Sequence, residues 1–566
     1  MGVPLGAWRT IAELRTAGPS RRAAGSHKLC RRAPPGFLSL DCFGPARGSL
    51  YSPSKRHVAG PFDSFAHRGE TVSQTTDSSR ERAAGAVPNA RKTRVVILGG
   101  GFGGVYTARH LEQLCKRRAD VEVVLVSRDN FLLMTPLLFE VCSGTLDVRQ
   151  CSFPIRAFLR TTRLGEAVVQ GIDLERRVVH LSAAGENAEL PYAQLVLALG
   201  SRTNKVMIPG SEQAFTFKTL ADALLLRNHL IERFERAEVE IDPERKRSLL
   251  TFVIIGGGLV GVELFGELTA FVDGICSLYK HVSRDEVRLI LLQGGDRIMP
   301  EINPTLADYG ARVLGKRRGA DIRTHCLVRA IEPGKVHLPD QTIAAETIIL
   351  AAGVVPNPVV AGLPVDKDQR GHIVVDGTMR CPSHQDVWAL GDCASIPAPD
   401  GKPYPNLAQH ALREARVLAR NIVAVLDGRP PQPFIYENLG MMGSLGHGKA
   451  FGQLIKLRVR GVLAWFVRRT YYLLQMPGWR RRLRIMIDWA FALLFRPDIV
   501  KISLDSEAAL LLREAAADEK TTPVAFSAVH ASQGNDPAGP GLRPGDDQNS
   551  VHGRTGRRDG HGVLST

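Results

Sequence analysis

The residues of this chain whose types and spacing suit chemistry fall first into two glycine clusters. Gly99-x-Gly101-x-x-Gly104 follows the β-branched run Val95-Val96-Ile97-Leu98, and a helix-period segment opens behind it. Gly256-x-Gly258-x-x-Gly261 follows Thr251-Phe-Val-Ile-Ile255 in the same way, with Glu263 just after it and a helix through Leu264, Leu268 and Phe271. In each cluster the first glycine allows a tight turn, the second lets backbone approach a diphosphate, and the third lets helix pack on strand. The helix behind aims unpaired N–H groups and the positive end of its dipole at the phosphates. One cluster predicts one bound nucleotide. Two, a domain's length apart, predict two nucleotides face to face, the arrangement in which a flavin takes hydride from a nicotinamide.

Other polar residues stand where the rest of those nucleotides would reach. Val121-Glu-Val-Val-Leu-Val126 reads as the second strand of the first unit, and Ser127 at its end meets the adenosine ribose where an acid is usual. Val287-Arg-Leu-Ile-Leu-Leu-Gln293 is its counterpart in the second unit. A carboxylate there would bond the ribose 2′-hydroxyl and repel a 2′-phosphate. Gln293 removes that repulsion and Arg297 can pair with a phosphate, so NADPH is expected to serve alongside NADH. Ile348-Ile-Leu-Ala-Ala-Gly353 ends on a glycine turn. Asp386-Val-Trp-Ala-Leu-Gly-Asp392 sets an acid just past a short strand, placed to receive a ribityl hydroxyl of FAD. The apolar stretch from Phe131 to Phe139, broken by Pro136, suits either core or a wall beside the flavin ring.

The whole chain bounds what positions these residues. Its 566 residues allow two or three domains, and 44% apolar with 23% charged residues is ordinary for a globular protein. The net charge of +16 asks for an anionic partner, a membrane surface or nucleic acid. Nine cysteines show neither CxxC nor metal-ligand spacing, so they read as reduced thiols and no metal is expected. No unbroken apolar run is long enough to span a bilayer. The expected fold is α/β, with two Rossmann-type dinucleotide-binding domains, for FAD and NAD(P)H, and a C-terminal amphipathic helical membrane-binding region. Residues 1–91 read as a disordered basic extension, 92–248 and 354–435 as the two parts of the FAD domain, and 249–353 as the NAD(P)H domain. Residues 436–504 form the membrane-anchoring region and 505–566 a disordered tail. The first fifteen residues, with Trp8, Arg9, Ile11, Leu14 and Arg15, also suit a basic amphipathic turn like that of a mitochondrial transit peptide.

With these residues in view, the chain resembles the type II (alternative, non-proton-pumping) NADH:quinone oxidoreductases, of the pyridine nucleotide-disulfide oxidoreductase fold. The resemblance runs from about Arg94 to Leu504 and rests on several stretches together. These are the two glycine clusters, Asn130-Phe with Thr135-Pro-Leu-Leu, Leu390-Gly-Asp-Cys393, Asn406-Leu-Ala-Gln-His-Ala411, Leu439-Gly with Gly448-Lys449-Ala, and Gly461-Val-Leu-Ala-Trp465. It implies FAD at Gly99, Gly101, Gly104 and Asp392, and NAD(P)H at Gly256, Gly258, Gly261, Glu263 and Gly353, with electrons passing on to a membrane quinone. The family's quinone segment carries two glutamines four apart on one helix face; here Gln409 stands at the first place and Arg413 at the second. Arg413 either donates to a quinone carbonyl or narrows the quinone's path. Glu263 and Gln409 are the side chains the resemblance brings closest to the reacting rings. No side chain is assigned as a general acid or base, because the flavin itself stores the electrons.

Between Lys449 and Lys501 stand twelve Lys or Arg against two acids, interleaved with Trp465, Phe466, Tyr471, Tyr472, Trp479, Trp489, Phe491 and Phe495. Such a stretch is too short and charged to span a membrane and is built to lie in its interface. The alternation of basic with large apolar residues speaks against nucleic acid. A homodimer contact is the other use of the stretch and is compatible with the first. The expected location is peripheral, on the cytoplasmic face of a bacterial inner membrane, with the mitochondrial inner membrane as the alternative. Of three rivals, the cysteine spacing sets the first aside and two remain open. A disulfide reductase needs a closer pair than Cys142 and Cys151; a sulfide:quinone oxidoreductase would use Cys142, Cys151 and Cys381; a flavin-binding protein without quinone turnover would explain Arg413.

Overall fold

The computed structural model describes residues 92–437, 440–454, 457–476, 478–494 and 499–501. The expected N-terminal extension and transit segment (to residue 91) and the C-terminal tail lie outside the described residues, as do Leu439, Phe495 and Leu504.

In chain order the elements that position the site are β1 (Thr93–Leu98), α1 (Phe102–Leu114), β2 (Val121–Ser127), β3 (Phe131–Leu133), α2 (Leu138–Cys142), β4 (Ser152–Pro154) and β5 (Arg163–Glu166). After an antiparallel meander over residues 168–191 come β6 (Gln194–Leu197), β7 (Ser201–Thr203), β8 (Phe215–Thr216) and α3 (Leu220–Val239). The second glycine cluster lies between β9 (Thr251–Ile255) and α4 (Leu259–Ile275), followed by β10 (Arg288–Leu292), α5 (Pro304–Gly315) and β11 (Ala320–Arg323). Then follow β12 (Thr347–Leu350), β13 (Val354–Pro356), β14 (Arg380–Cys381), β15 (His384–Ala389) and α6 (Ala408–Leu426). The end of the described chain holds β16 (Gly440–Ser444), β17 (Ala450–Leu454), β18 (Leu457–Arg460), α7 (Gly461–Gln475) and α8 (Trp479–Leu494).

Two open sheets organise this chain. The first has the order β14-β15-β6-β1-β2-β5 and is parallel except for its β14 edge. The second, β8-β12-β9-β10-β11, is parallel throughout. Parallel strands covered on both faces must be apolar along their whole length, and Val95 to Leu98 and Phe252 to Ile254 are at most 1% exposed. Burying each such side chain contributes about 1.5–3 kcal/mol. α3 begins with a full capping box, Thr219 with Asp222, which explains its sharp start after a loop.

A short two-stranded ribbon stitches the two sheets together. β7, which leaves the first sheet, pairs antiparallel with β13, which leaves the second; Ser201 faces Pro356 and Thr203 faces Val354. Strand ends of both nucleotide units therefore meet there, as ligand sites do in open α/β sheets. Among the described residues no helix is long and apolar enough to cross a membrane.

Candidate active site

At the first cluster Gly99 has φ +115, and its N–H donates to Val126 O of β2 at 2.8 Å, which carries the β1–β2 ladder up to the turn. A Cβ on Gly104 would stand 1.9 Å from Gly99 O, so only glycine lets α1 sit this close to β1. Gly101, at the N-terminus of α1, is different: a Cβ there would meet nothing among the described residues within 4 Å. That free space lies where N–H groups of the first turn have no side-chain cap. The pocket left by glycine and the uncapped amides fit a diphosphate. Ser127 lies against Gly100 and donates its Oγ proton to Asp129 O at 2.6 Å.

The second cluster repeats the geometry with one addition. Gly256 has φ +112, a Cβ on Gly261 would be 1.9 Å from Gly256 O, and a Cβ on Gly258 would meet only Glu301 Oε1, at 3.6 Å, among the described residues. Here, however, the Leu259 N–H donates to Glu301 Oε1 at 2.6 Å, so a carboxylate from the loop before α5 sits on the anion-attracting end of α4. Gln293 accepts from the Gly257 N–H at 2.9 Å, which draws its side chain over the glycine turn. Arg297 donates to Pro300 O at 3.0 Å, close by in the same loop. Glu301 was not foreseen; the signal available was an acid near a helix N-terminus, but from a segment forty residues on.

Where the sheets are stitched, Asp392 Oδ2 accepts from Ser201 Oγ at 2.7 Å and from Lys218 Nζ at 3.1 Å. Lys218 Nζ also donates to Ser201 Oγ. A carboxylate has about four lone-pair sites, so Oδ1 of Asp392 retains capacity for a hydroxyl. The turn before it is set by Gly391 (φ +69), whose N–H donates to Glu414 Oε2 of α6 at 2.9 Å. Burial pushes the Glu414 carboxyl up to about 7. Gly353, with φ +68, lies beneath Met207, and its carbonyl accepts from the Asn204 N–H at 3.2 Å. Asp392, through Ser201, and Gly353, through Asn204, are thus both brought to the β7–β13 ribbon.

Glu263 lies deeper than a residue lining an open pocket. It is 6% exposed, accepts from the Ser444 N–H at 2.7 Å, and pairs with Arg468 at 3.1 Å. Burial raises its carboxyl above the usual range, and Arg468 opposes the rise. The same arginine reaches Glu140 at 3.5 Å and donates to Pro136 O at 2.9 Å, while Arg469 reaches Glu140 at 3.6 Å. Glu267 accepts from Ser444 Oγ at 3.0 Å and is pushed up to about 7 by burial, then by Glu140. A buried cluster of three carboxylates and two guanidinia thus ties α2 and α4 to α7.

This cluster corrects the sequence reading of the C-terminal stretch. Arg468 and Arg469, counted there with the interfacial cations, are 2% and 7% exposed, and Trp465 and Trp489 also turn inward. The physical reason is local: Ala464, Trp465, Arg468 and Arg469 share the face of α7 that packs inward, where buried carboxylates await them. What stays exposed is Val462, Leu463, Phe466 and Leu474 on α7, with Trp479, Leu483, Met486, Ile487 and Phe491 on α8.

Gln409 and Arg413 come together on one face of α6. Gln409 Nε2 donates to Gly440 O at 3.3 Å, Arg413 Nη1 donates to Gln409 O at 2.7 Å, and its guanidinium lies 4.5 Å from the Tyr436 ring centroid. Arg413 is therefore engaged with protein rather than pointing free. Cys142, Cys151 and Cys381 are buried, and burial pushes their thiols up to about 12, the reverse of what a thiolate relay needs. Among the described residues no group of side chains could hold a metal.

Comparison with known proteins bears on this geometry. The family model for pyridine nucleotide-disulphide oxidoreductases matches residues 93–415. A probable NADH dehydrogenase of Dictyostelium discoideum is 30% identical over 417 residues, 72% of this chain and 90% of that one. An internal alternative NAD(P)H-ubiquinone oxidoreductase A1, mitochondrial, of Arabidopsis thaliana is 30% identical over 475 residues, 76% of this chain and 90% of its own. Among solved structures, NDH2 from Plasmodium falciparum in complex with NADH shares the fold, with a TM-score of 0.67 at 19% identity over 73% of this chain and 100% of that one.

Proposed function

The chain belongs to the pyridine nucleotide-disulphide oxidoreductase family and within it to the type II NADH:quinone oxidoreductases, and on that premise we propose how its own residues serve the reaction. It is an FAD-dependent NAD(P)H:quinone oxidoreductase. The observation that carries this reading is the pair of glycine cradles whose strand ends converge on the β7–β13 ribbon. FAD, when bound, supplies the acceptor for a hydride and releases electrons to quinone.

The protein's share is binding and orientation. Amides at the start of α1, opened by Gly101, hold the FAD diphosphate, Ser127 faces its ribose and Asp392 Oδ1 receives a ribityl hydroxyl. Amides at the start of α4, beside Gly258, hold NAD(P)H, whose diphosphate competes with Glu301 for the Leu259 N–H. Gly353 adds no side chain of its own at the nicotinamide end, where Met207 already lies over the turn. Glu263 acts from behind α4, through the cluster that fixes that helix. Gln409 and Arg413 stand on the quinone side. The exposed apolar face of α7 and α8 contacts a membrane surface, on the cytoplasmic side of a bacterial inner membrane or on the mitochondrial inner membrane, and leaves room for a homodimer.

Stopped-flow bleaching of the flavin by NADH and by NADPH, followed by a short-chain quinone, tests this directly. Bleaching and rapid reoxidation are expected, and Arg413→Gln is expected to change only the reoxidation limb. Bleaching without reoxidation by quinone would remove the acceptor assignment.

A further inference from the structure

α8 opens Trp479-Arg480-Arg481-Arg482-Leu483-Arg484 and has no acid in its first turn. Cations are unfavourable at the positive end of a helix dipole, and an anion there is favoured. Arg482 folds back onto Met476 O at 2.7 Å and Leu474 O at 2.9 Å. Arg480, Arg481 and Arg484 instead join Arg149 around a cleft of about 520 Å³ floored by the β3–β4 ribbon. Arg481 is fixed there: it donates to Arg149 O at 3.1 Å and to Ser152 O, with its guanidinium 4.1 Å from the Phe153 ring centroid. Gln150 also lines the cleft; it is 7% exposed and its Oε1 has no hydrogen-bond partner among the described residues. Among the described residues no carboxylate lines the cleft. The acids nearby are Asp147, paired with Arg149 at 3.1 Å, and Asp488, one turn beyond Arg484.

We propose that this cleft binds the phosphate of an anionic phospholipid headgroup. Planar guanidinium forks suit phosphate oxygens, and the Gln150 amide can turn to add a donor. The occupant is a lipid rather than a free anion because the same helix exposes Trp479, Leu483, Met486, Ile487 and Phe491, a continuous use for acyl chains. The inference rests on the membrane contact proposed above and adds a selective site to it. It also gives the basic first turn of α8 a reason: the helix is completed electrostatically at the bilayer.

The test is flotation of the full chain with phosphatidylcholine vesicles, plain or doped with phosphatidylglycerol. Each basic residue near an anionic surface contributes about 1 kcal/mol, roughly fivefold in partition, so the double variant Arg480→Gln, Arg484→Gln is expected to lose roughly thirtyfold on doped vesicles. Binding to plain vesicles should persist. Its melting temperature without lipid should hold or rise, because two cations leave the helix start. A control pair off the helix, Lys449→Gln with Arg458→Gln, should lose less. Equal losses from the two pairs would mean diffuse attraction and overturn the site. Phosphate-dependent thermal stabilisation abolished by Arg484→Gln, with no preference for doped vesicles, would make it a free-anion site and overturn the lipid. If the unaltered protein binds both vesicles alike, membrane contact stands and the headgroup site falls; if it binds neither, both fall.

Discussion

Replacing Arg468 by methionine removes the cation around which three buried carboxylates gather. The guanidinium is 2% exposed, 3.1 Å from Glu263 and 3.5 Å from Glu140. Deleting one partner of a buried ion pair costs about 3–5 kcal/mol, because the other is left charged and unpaired. Arg469 still serves Glu140, so the burden falls on Glu263, left with the Ser444 N–H. The loss should depend on pH. Burial already raises the Glu263 carboxyl, and without Arg468 nothing cationic opposes the rise. A raised acid holds in the folded state a proton that the unfolded chain releases, so its contribution favours folding in acid and is lost as pH rises through the folded value. Arg468→Met should thus be most destabilising above neutrality and less so in mild acid. Urea unfolding across pH, for each single variant and for Arg468→Met with Glu263→Gln, measures this as a double-mutant cycle. The double variant should recover about 1–3 kcal/mol, since neither partner remains to be orphaned. A single-variant loss below about 1 kcal/mol, or one flat across pH, would refute the reasoning.

Other outcomes follow from the same geometry. Gly101→Ala should be isolated with little flavin absorbance and melt at the temperature of the FAD-free native chain, since its Cβ meets nothing among the described residues within 4 Å; full flavin content would mean the open side is not the cradle. Gln293→Glu should shift the kcat/KM ratio toward NADH by at least about tenfold, as a carboxylate meets the 2′-phosphate; an unchanged ratio would move specificity elsewhere. Glu414 is pushed up to about 7 by burial, so its contribution is present in acid and lost as pH rises through that value. The melting temperature of the native protein should therefore fall relative to that of Glu414→Gln between about pH 6 and about pH 8, and a constant difference would count against a buried neutral acid.

What could be read from the sequence was what is local. Strand, glycine turn and helix are contiguous, so Gly99 to Gly104 and Gly256 to Gly261 declare their geometry within a few residues. The spacing of Gln409 and Arg413 likewise places them on one helix face. Partners that close a site across the chain leave no such trace: Lys218 meets Asp392 across 174 positions and Ser201 meets it across 191. Charge counting failed at Arg468 and Arg469 for a related reason. A guanidinium counts the same inside and outside, and only the carboxylates of distant helices decide which it is. The helical period could have helped, because Ala464, Trp465 and Arg468 fall on one face.

The buried cluster also sets an order of events in the making of the protein. Glu140, Glu263 and Glu267 leave the ribosome long before the arginines that neutralise them. Roughly 200 residues separate Glu263 from Arg468, about 10–40 s of synthesis at ordinary elongation rates. Through that interval α4, which carries the second glycine turn, cannot settle without stranding its acids. A chain halted before α7 should therefore be handled by the cell as unfinished, although every residue of both nucleotide cradles is already made.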